Sequence, residues 1–174
     1  AGAEARACSQ FYEHTRDMML QAYPWRFAGG TVSLAQVTND KPGQWGYAYQ
    51  RPTDCLKVRW VRPAYSEDDL ALTRQQEISH KYEAEAQRIY CNLSPAFLRY
   101  TMLITDPSLF PPLFVDALSW HLATRLAMPL TRDPKVRAEA FQMAQMMTGQ
   151  AQMADANEER ETSDHASEMV EARN

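Results

Sequence analysis

Apolar residues recur at helical spacing through residues 3–22, where Ala3, Ala7, Phe11, Met18 and Ala22 are interleaved with the polar Glu4, Glu13, Arg16 and Asp17. This period predicts one amphipathic helix. It must stop near Tyr23, because Pro24 has no backbone N–H and pushes the residue before it into extended geometry. After Gly29-Gly30, which reads as a turn signal, the period changes from 3.6 to 2. Val32 and Leu34 alternate with Thr31 and Ser33, and Leu56, Val58 and Trp60 alternate with Cys55, Lys57 and Arg59, as in half-buried strands. Residues 39–46 are rich in turn formers and predict a loop, followed by a short strand over 47–49.

Further strands are predicted over 78–85, 88–92 and 96–104, which makes one small antiparallel sheet of about four to six strands. Asp106-Pro107 closes that sheet, and Pro111-Pro112 opens a helix, because proline is tolerated in a first turn. In it Phe114, Leu118, Leu122 and Leu126 lie four apart, and Ala117, Ala123 and Ala127 allow a neighbouring helix to approach. Met128-Pro129 is expected to end this helix. Asp133-Pro134 starts a third, with aspartate as cap and proline in the first turn. Its apolar stripe runs through Val136, Ala140, Met143, Met147, Ala151 and Ala154. The order predicts an α+β fold: a helical bundle (1–28 and 105–156) with an inserted small antiparallel β-sheet (29–104) and an acidic C-terminal extension (157–174).

A chain of 174 residues, 45% apolar and 23% charged, can bury a continuous core without disulfides or metal. The net charge of −4 is unevenly spread. Residues 155–174 hold seven acidic side chains and two arginines, leaving the rest of the chain about +1, so no broad phosphate-binding field is expected. No apolar run approaches the roughly 20 residues of a membrane span, and no secretory leader is visible. The three cysteines, Cys8, Cys55 and Cys91, are odd in number and widely spaced, which predicts reduced thiols rather than a disulfide framework. The helix is already under way at residue 3 and no initiator methionine is present, so further residues are expected upstream.

Catalytic chemistry finds little purchase in this pattern. His14, His80, His121 and His165 stand apart from any nucleophile-elbow glycines, and no second histidine follows at i+4 to hold a metal. His121, in mid-helix beside Trp120, reads as a hydrogen-bonded packing residue. Glu83 and Glu85 share one face if their segment is a strand, as a glycosidase pair would, but a solvent-facing pair is the simpler reading. Lys57, Arg59, Trp60 and Arg62 cluster near Arg51, yet alternation sends Lys57 and Arg59 away from Trp60, which favours a solvated strand face. No catalytic, cofactor-binding or metal-ligating residue is assigned. Met143, Met146, Met147 and Met153 crowd the last helix, where flexible thioethers fill an irregular core or adapt to another subunit.

Two proline-punctuated apolar joints, Tyr23-Pro24-Trp25-Arg26-Phe27-Ala28 and residues 105–114, separate helix from sheet. They also carry a family likeness. Together with residues 3–8, Phe11-Tyr12, Arg16-Asp17, residues 52–58, Arg99-Tyr100 and Ala117-Leu118, they make the chain resemble the tail tubular protein A-like adaptors, the head-to-tail connectors of short-tailed bacteriophages. Members usually carry additional residues ahead of the point where this chain starts. Residues 65–76 and the acidic end depart from the pattern.

The resemblance implies a structural virion protein that is not an enzyme. About twelve copies would form a ring, assembled in the host cytoplasm, that docks below the portal protein, meets the tail nozzle protein and continues the DNA channel without reading sequence. It implies no cofactor and no membrane. Interface residues expected on this reading are Trp25, Phe27 and Trp45 near the bundle-to-sheet joint, with the core as the favoured place for Trp25 and Phe27. On the portal side they are Met146, Met153 and the segment holding Asn157, Glu158, Glu159, Met169 and Val170. The rival expectations are an adaptor-related protein that hydrolyses peptidoglycan or polysaccharide, and a cytoplasmic binding module.

Overall fold

The computed structural model describes residues 2–64 and 80–158, and the fold is α+β. Its elements are α1 (Ala3–Ala22), β1 (Gly29–Ser33), β2 (Gln36–Val37), β3 (Tyr47–Gln50), β4 (Cys55–Pro63), β5 (Tyr82–Glu85), β6 (Arg88–Cys91), β7 (Ala96–Met102), a 3₁₀ turn (Pro107–Leu109), α2 (Pro112–Thr131) and α3 (Pro134–Asn157). The first helix ends at Ala22, with Tyr23 already extended ahead of Pro24, as the proline demands. The last begins at Pro134, and the Asp133 carboxylate accepts the Lys135 N–H at 2.8 Å, satisfying one of the orphan donors of the first turn. Residues 78 and 79 of the expected 78–85 strand lie outside the described residues; Tyr82–Glu85 is the part the fold contains.

Among the described residues the strands form two antiparallel sheets, not one. A three-stranded sheet runs β1-β7-β4 and a four-stranded sheet β2-β3-β6-β5. Val61, Leu98 and Tyr100 of the first and Tyr49, Ile89 and Cys91 of the second share one buried cluster. Alternation shows that each strand has one apolar face; it does not say which strands pair, and two short sheets covering each other bury those faces better than one open sheet.

Strand β4 also departs from simple alternation. Its register against β7 slips between Cys55 and Lys57 and again between Val58 and Trp60. Leu56 and Arg59 are thus the extra residues of two bulges, and a bulge re-aims a side chain. Leu56 turns to the helical core, whereas Val58 and Val61 face the inter-sheet core. Gly29 and Gly30 belong to β1 rather than to a turn, and neither has positive φ. They are needed for close approach: a Cβ on Gly30 would lie 2.9 Å from Met102 Sδ and 3.1 Å from the Tyr100 ring.

The second core lies among the helices and the joints, where Met19, Leu20, Trp25, Ala28, Ile104, Phe110, Phe114, Ala117, Leu118 and Ala151 are buried together. Met102 packs against both cores. Helix α2 passes through Pro129 to Thr131 instead of ending there. So near a C-terminus the proline removes a single hydrogen bond, to the Arg125 carbonyl about two turns before the helix end. Arg132, at φ 55, closes the helix in the left-handed region and donates its N–H to Met128 at 3.2 Å. Arg132→Gly should therefore stabilise the protein by about 0.5–1 kcal/mol, read from equilibrium unfolding, because glycine enters this region without a Cβ clash. Along α3 the stripe shifts: Ala140, Ala144, Ala151 and Asp155 are buried, and Val136 is exposed.

Candidate interaction surfaces

The joint at residues 23–28 is built by convergence of three helix ends. Trp25, only 2% exposed, donates its indole N–H to the Met19 carbonyl at 2.8 Å. It meets Phe114 edge-on, with centroids 5.1 Å apart at 84°, and Phe27 and Phe110 extend the aromatic group. The end of α3 is tied to the same turn by the Arg26 N–H, which donates to both Asp155 carboxylate oxygens at 3.0 and 3.2 Å. From the sheet, Arg59 donates to Thr101 Oγ1 at 2.7 Å and to the Tyr23 carbonyl at 2.8 Å, satisfying an acceptor at the end of α1. A cavity of about 200 Å³ opens beside these groups, lined by Trp25, Phe27, Leu113, Phe114, Ala154 and Glu158 among others.

Asp155 and Arg59 are therefore structural residues that the sequence reading did not find. Asp155 opens an acidic run, which reads as solvated, yet it is 7% exposed. Its place four residues after the buried Ala151 was the available signal. Arg59 reads as half of a solvated pair until the bulge turns it toward the joint.

The outward face of α3 is the second surface. Between Glu139 and Asp155 the helix has no charged residue; its exposed positions carry Phe141, Gln142, Gln145, Met146, Gln150 and Met153. Phe141, Met146 and Met153 are 51%, 50% and 70% exposed. On a 3.6-residue repeat Met146 and Met153 point away from the buried Ala144–Ala151 side, which packs on α2. Between the two helices the His121 Nε2 and Thr148 Oγ1 lie 2.9 Å apart, and burial lowers the imidazole pKa. His121 is thus the hydrogen-bonded packing residue its position suggested.

The third surface is a charged patch on the four-stranded sheet, where the 39–46 loop folds back over the strands. Lys41 Nζ bridges Glu83, at 2.6 Å, and Glu85, and its ammonium sits 4.7 Å from the Tyr90 ring centroid. Trp45 donates its indole N–H to Glu83 at 2.8 Å. Hydrogen bonds from Lys41 and then Trp45 hold the Glu83 carboxyl below its ordinary range, opposite to the raised value that a glycosidase general acid needs. Its neighbours make it an ion-paired anchor for the loop.

These placements decide one alternative and correct one expectation. Trp25 is core, the favoured of its two expected places: it is buried in the helical cluster and its N–H is satisfied internally. Trp45 is not at the joint; the loop between β2 and β3 carries it to β5 on the other sheet. Phe27 is half-buried beside the cavity. Met146 and Met153 share the open face of α3, Asn157 ends that helix, and Glu158 lies on the cavity rim. Glu159, Met169 and Val170 lie outside the described residues. Cys8 and Cys55 are half-buried, Cys91 is buried, and none is paired. Among the described residues no helix is long and apolar enough to cross a membrane, and no cluster of His, Cys, Asp and Glu has metal-site geometry.

Two carboxyls should titrate in opposite directions. Burial raises Asp155 above its ordinary 3.8, with the Arg26 N–H bonds opposing and Glu158 adding to the rise. The folded chain then holds this proton more tightly than the unfolded chain, so its contribution to stability is full below the unfolded value and is lost as pH rises through the folded one. Glu83, lowered from 4.5, contributes above its unfolded value and loses that contribution as pH falls through its folded one. Carboxyl-detected NMR should place the Asp155 midpoint above 3.8 and that of Glu83 below 4.5; the reverse order would contradict the burial of one and the ion pair of the other.

No protein-family model matches this chain, and no curated protein matches its sequence.

Proposed function

We propose that this protein is a structural head-to-tail adaptor of a short-tailed bacteriophage. Copies of it form a ring of about twelve that joins the portal protein to the tail nozzle protein and continues the DNA channel. It acts in the virion without a cofactor and without catalysis. The observation that carries this reading is the uncharged outer face of α3, which exposes Phe141, Met146 and Met153 on a well-formed helix. A solvent-facing helix ordinarily alternates charges there, and a face of methionine, glutamine and phenylalanine suits burial against protein. The family resemblance supplies the kind of assembly. On this reading the face lies on the portal side of the ring, and the contact between successive copies is heterologous, one surface of a subunit meeting a different surface of the next.

Electron microscopy of the protein mixed with purified portal rings tests the proposal. A second ring, stacked coaxially on the portal in stoichiometric copy number, is expected. Bare portals beside free monomers would overturn it.

A further inference from the structure

We infer that the two ends of the α2–α3 hairpin are complementary, and that the turn of one copy, residues 128–139, docks at the joint cavity of the next copy. Residues 128–139 are exposed without a break, so the tip is left open on every side. It presents Met128, Leu130 and Val136, which are 40%, 42% and 40% exposed, beside the cations Arg132, Lys135 and Arg137. Of its two acidic residues, Asp133 is engaged as the cap of α3, and Glu139 lies a turn further along the helix. The tip is therefore apolar and basic together.

The other end of the hairpin has the matching chemistry. The cavity of about 200 Å³ is walled by Trp25, Phe27, Leu113 and Phe114, with Asp155 and Glu158 also in its lining. Both Asp155 oxygens share one Arg26 N–H, and the Arg26 charge also acts on Asp155. Two carboxylates against one guanidinium leave the site net negative. Aromatic walls with carboxylates beside them suit a side chain that has an apolar stem and a cationic head, as Lys135 and Arg137 do. A copy cannot fill its own cavity: at a rise of about 1.5 Å per residue, Val136 and Asp155 lie roughly 28 Å apart along α3. The tip that meets the cavity thus belongs to a second molecule.

Such a contact joins two different surfaces and leaves a free tip and a free cavity at the ends of any chain of copies. It propagates until rotation closes it into a ring. In the proposed assembly this is the contact between successive copies; that role rests on the adaptor reading, whereas the contact itself needs no portal.

Sedimentation of the full chain alone, at concentrations up to about 1 mM so that contacts of millimolar Kd register, gives the test. Growth past the dimer is expected, weakening as salt is added. Lys135→Glu with Arg137→Glu keeps the fold, since acidic residues suit the first turn of a helix, and should weaken association at least about 10-fold. Glu158→Lys should weaken it less. Joining Glu158→Lys to the tip pair in one chain should restore growth, because the charges across the contact are then exchanged. A chain that stays monomeric overturns the inference, as does association that stops at the dimer or ignores the tip charges. Binding of butylammonium ion beside Phe27 and Leu113, read by NMR in a chain that stays monomeric, would assign the cavity to a small cation instead. Portal binding is read separately, so loss of the adaptor reading leaves this result standing, and the reverse holds too.

Discussion

Replacing Trp25 by alanine is expected to destabilise the protein by about 3–5 kcal/mol, the range for removing a buried tryptophan from a core that cannot collapse around the space. Three features put this site near the top of that range. The indole is enclosed between Tyr23, Phe27 and Phe114, with centroid separations of 4.9, 5.9 and 5.1 Å. Its N–H holds the Met19 carbonyl in the last turn of α1. The surrounding cluster also contains Met19 and Leu20 of α1, Phe114 and Leu118 of α2 and Ala151 of α3, so one residue closes the contact among α1, α2 and α3. Trp25→Phe should recover part of the loss by restoring the ring but not the donor. Phe141→Ala, at an exposed position, should lie within about 0.5 kcal/mol of the unaltered protein. Denaturant unfolding measures all three, and a cost below about 1 kcal/mol for Trp25→Ala would show that the joint is held elsewhere.

Met146→Glu combined with Met153→Glu should leave the monomer folded and abolish assembly on the portal. Both side chains already face water, and glutamate is a good helix former, so the thermal unfolding of the monomer should scarcely move. In an assembled ring each copy would bury two unpaired carboxylates, and each such burial costs several kcal/mol. Since 1.4 kcal/mol is tenfold in affinity, association should weaken by at least about 100-fold. Sedimentation with portal rings reads the loss, with Met146→Gln and Met153→Gln as the neutral pair that retains binding. Rings that form normally from the glutamate variant would remove the outer face of α3 from the interface.

The same residue type thus has opposite expected effects according to where the fold puts it. Periodicity alone separated Met147, packed against the helical core, from Met146, and the stripe assigned the two correctly. It failed for Val136, because an apolar residue in register with a stripe is buried only while a partner helix extends alongside it. At the α2–α3 turn the hairpin ends, and Met128, Leu130 and Val136 are left exposed.

Where local chemistry decides the outcome, the sequence was sufficient. Pro24 ends α1, Asp133-Pro134 starts α3, and the change from period 3.6 to period 2 and back again yields an α+β order of helix, strands, helix, helix, because each of these depends on backbone sterics and on residues within a turn or two. The partition of the seven described strands into two sheets, the bulges that turn Leu56 and Arg59 out of register, the glycines serving close approach, and the burial of Asp155 were decided only by tertiary structure. Those features depend on which distant surfaces meet: a carboxylate in an acidic run and an arginine in an alternating strand carry no mark, in their own segments, of the backbone groups that they will hold across the joint.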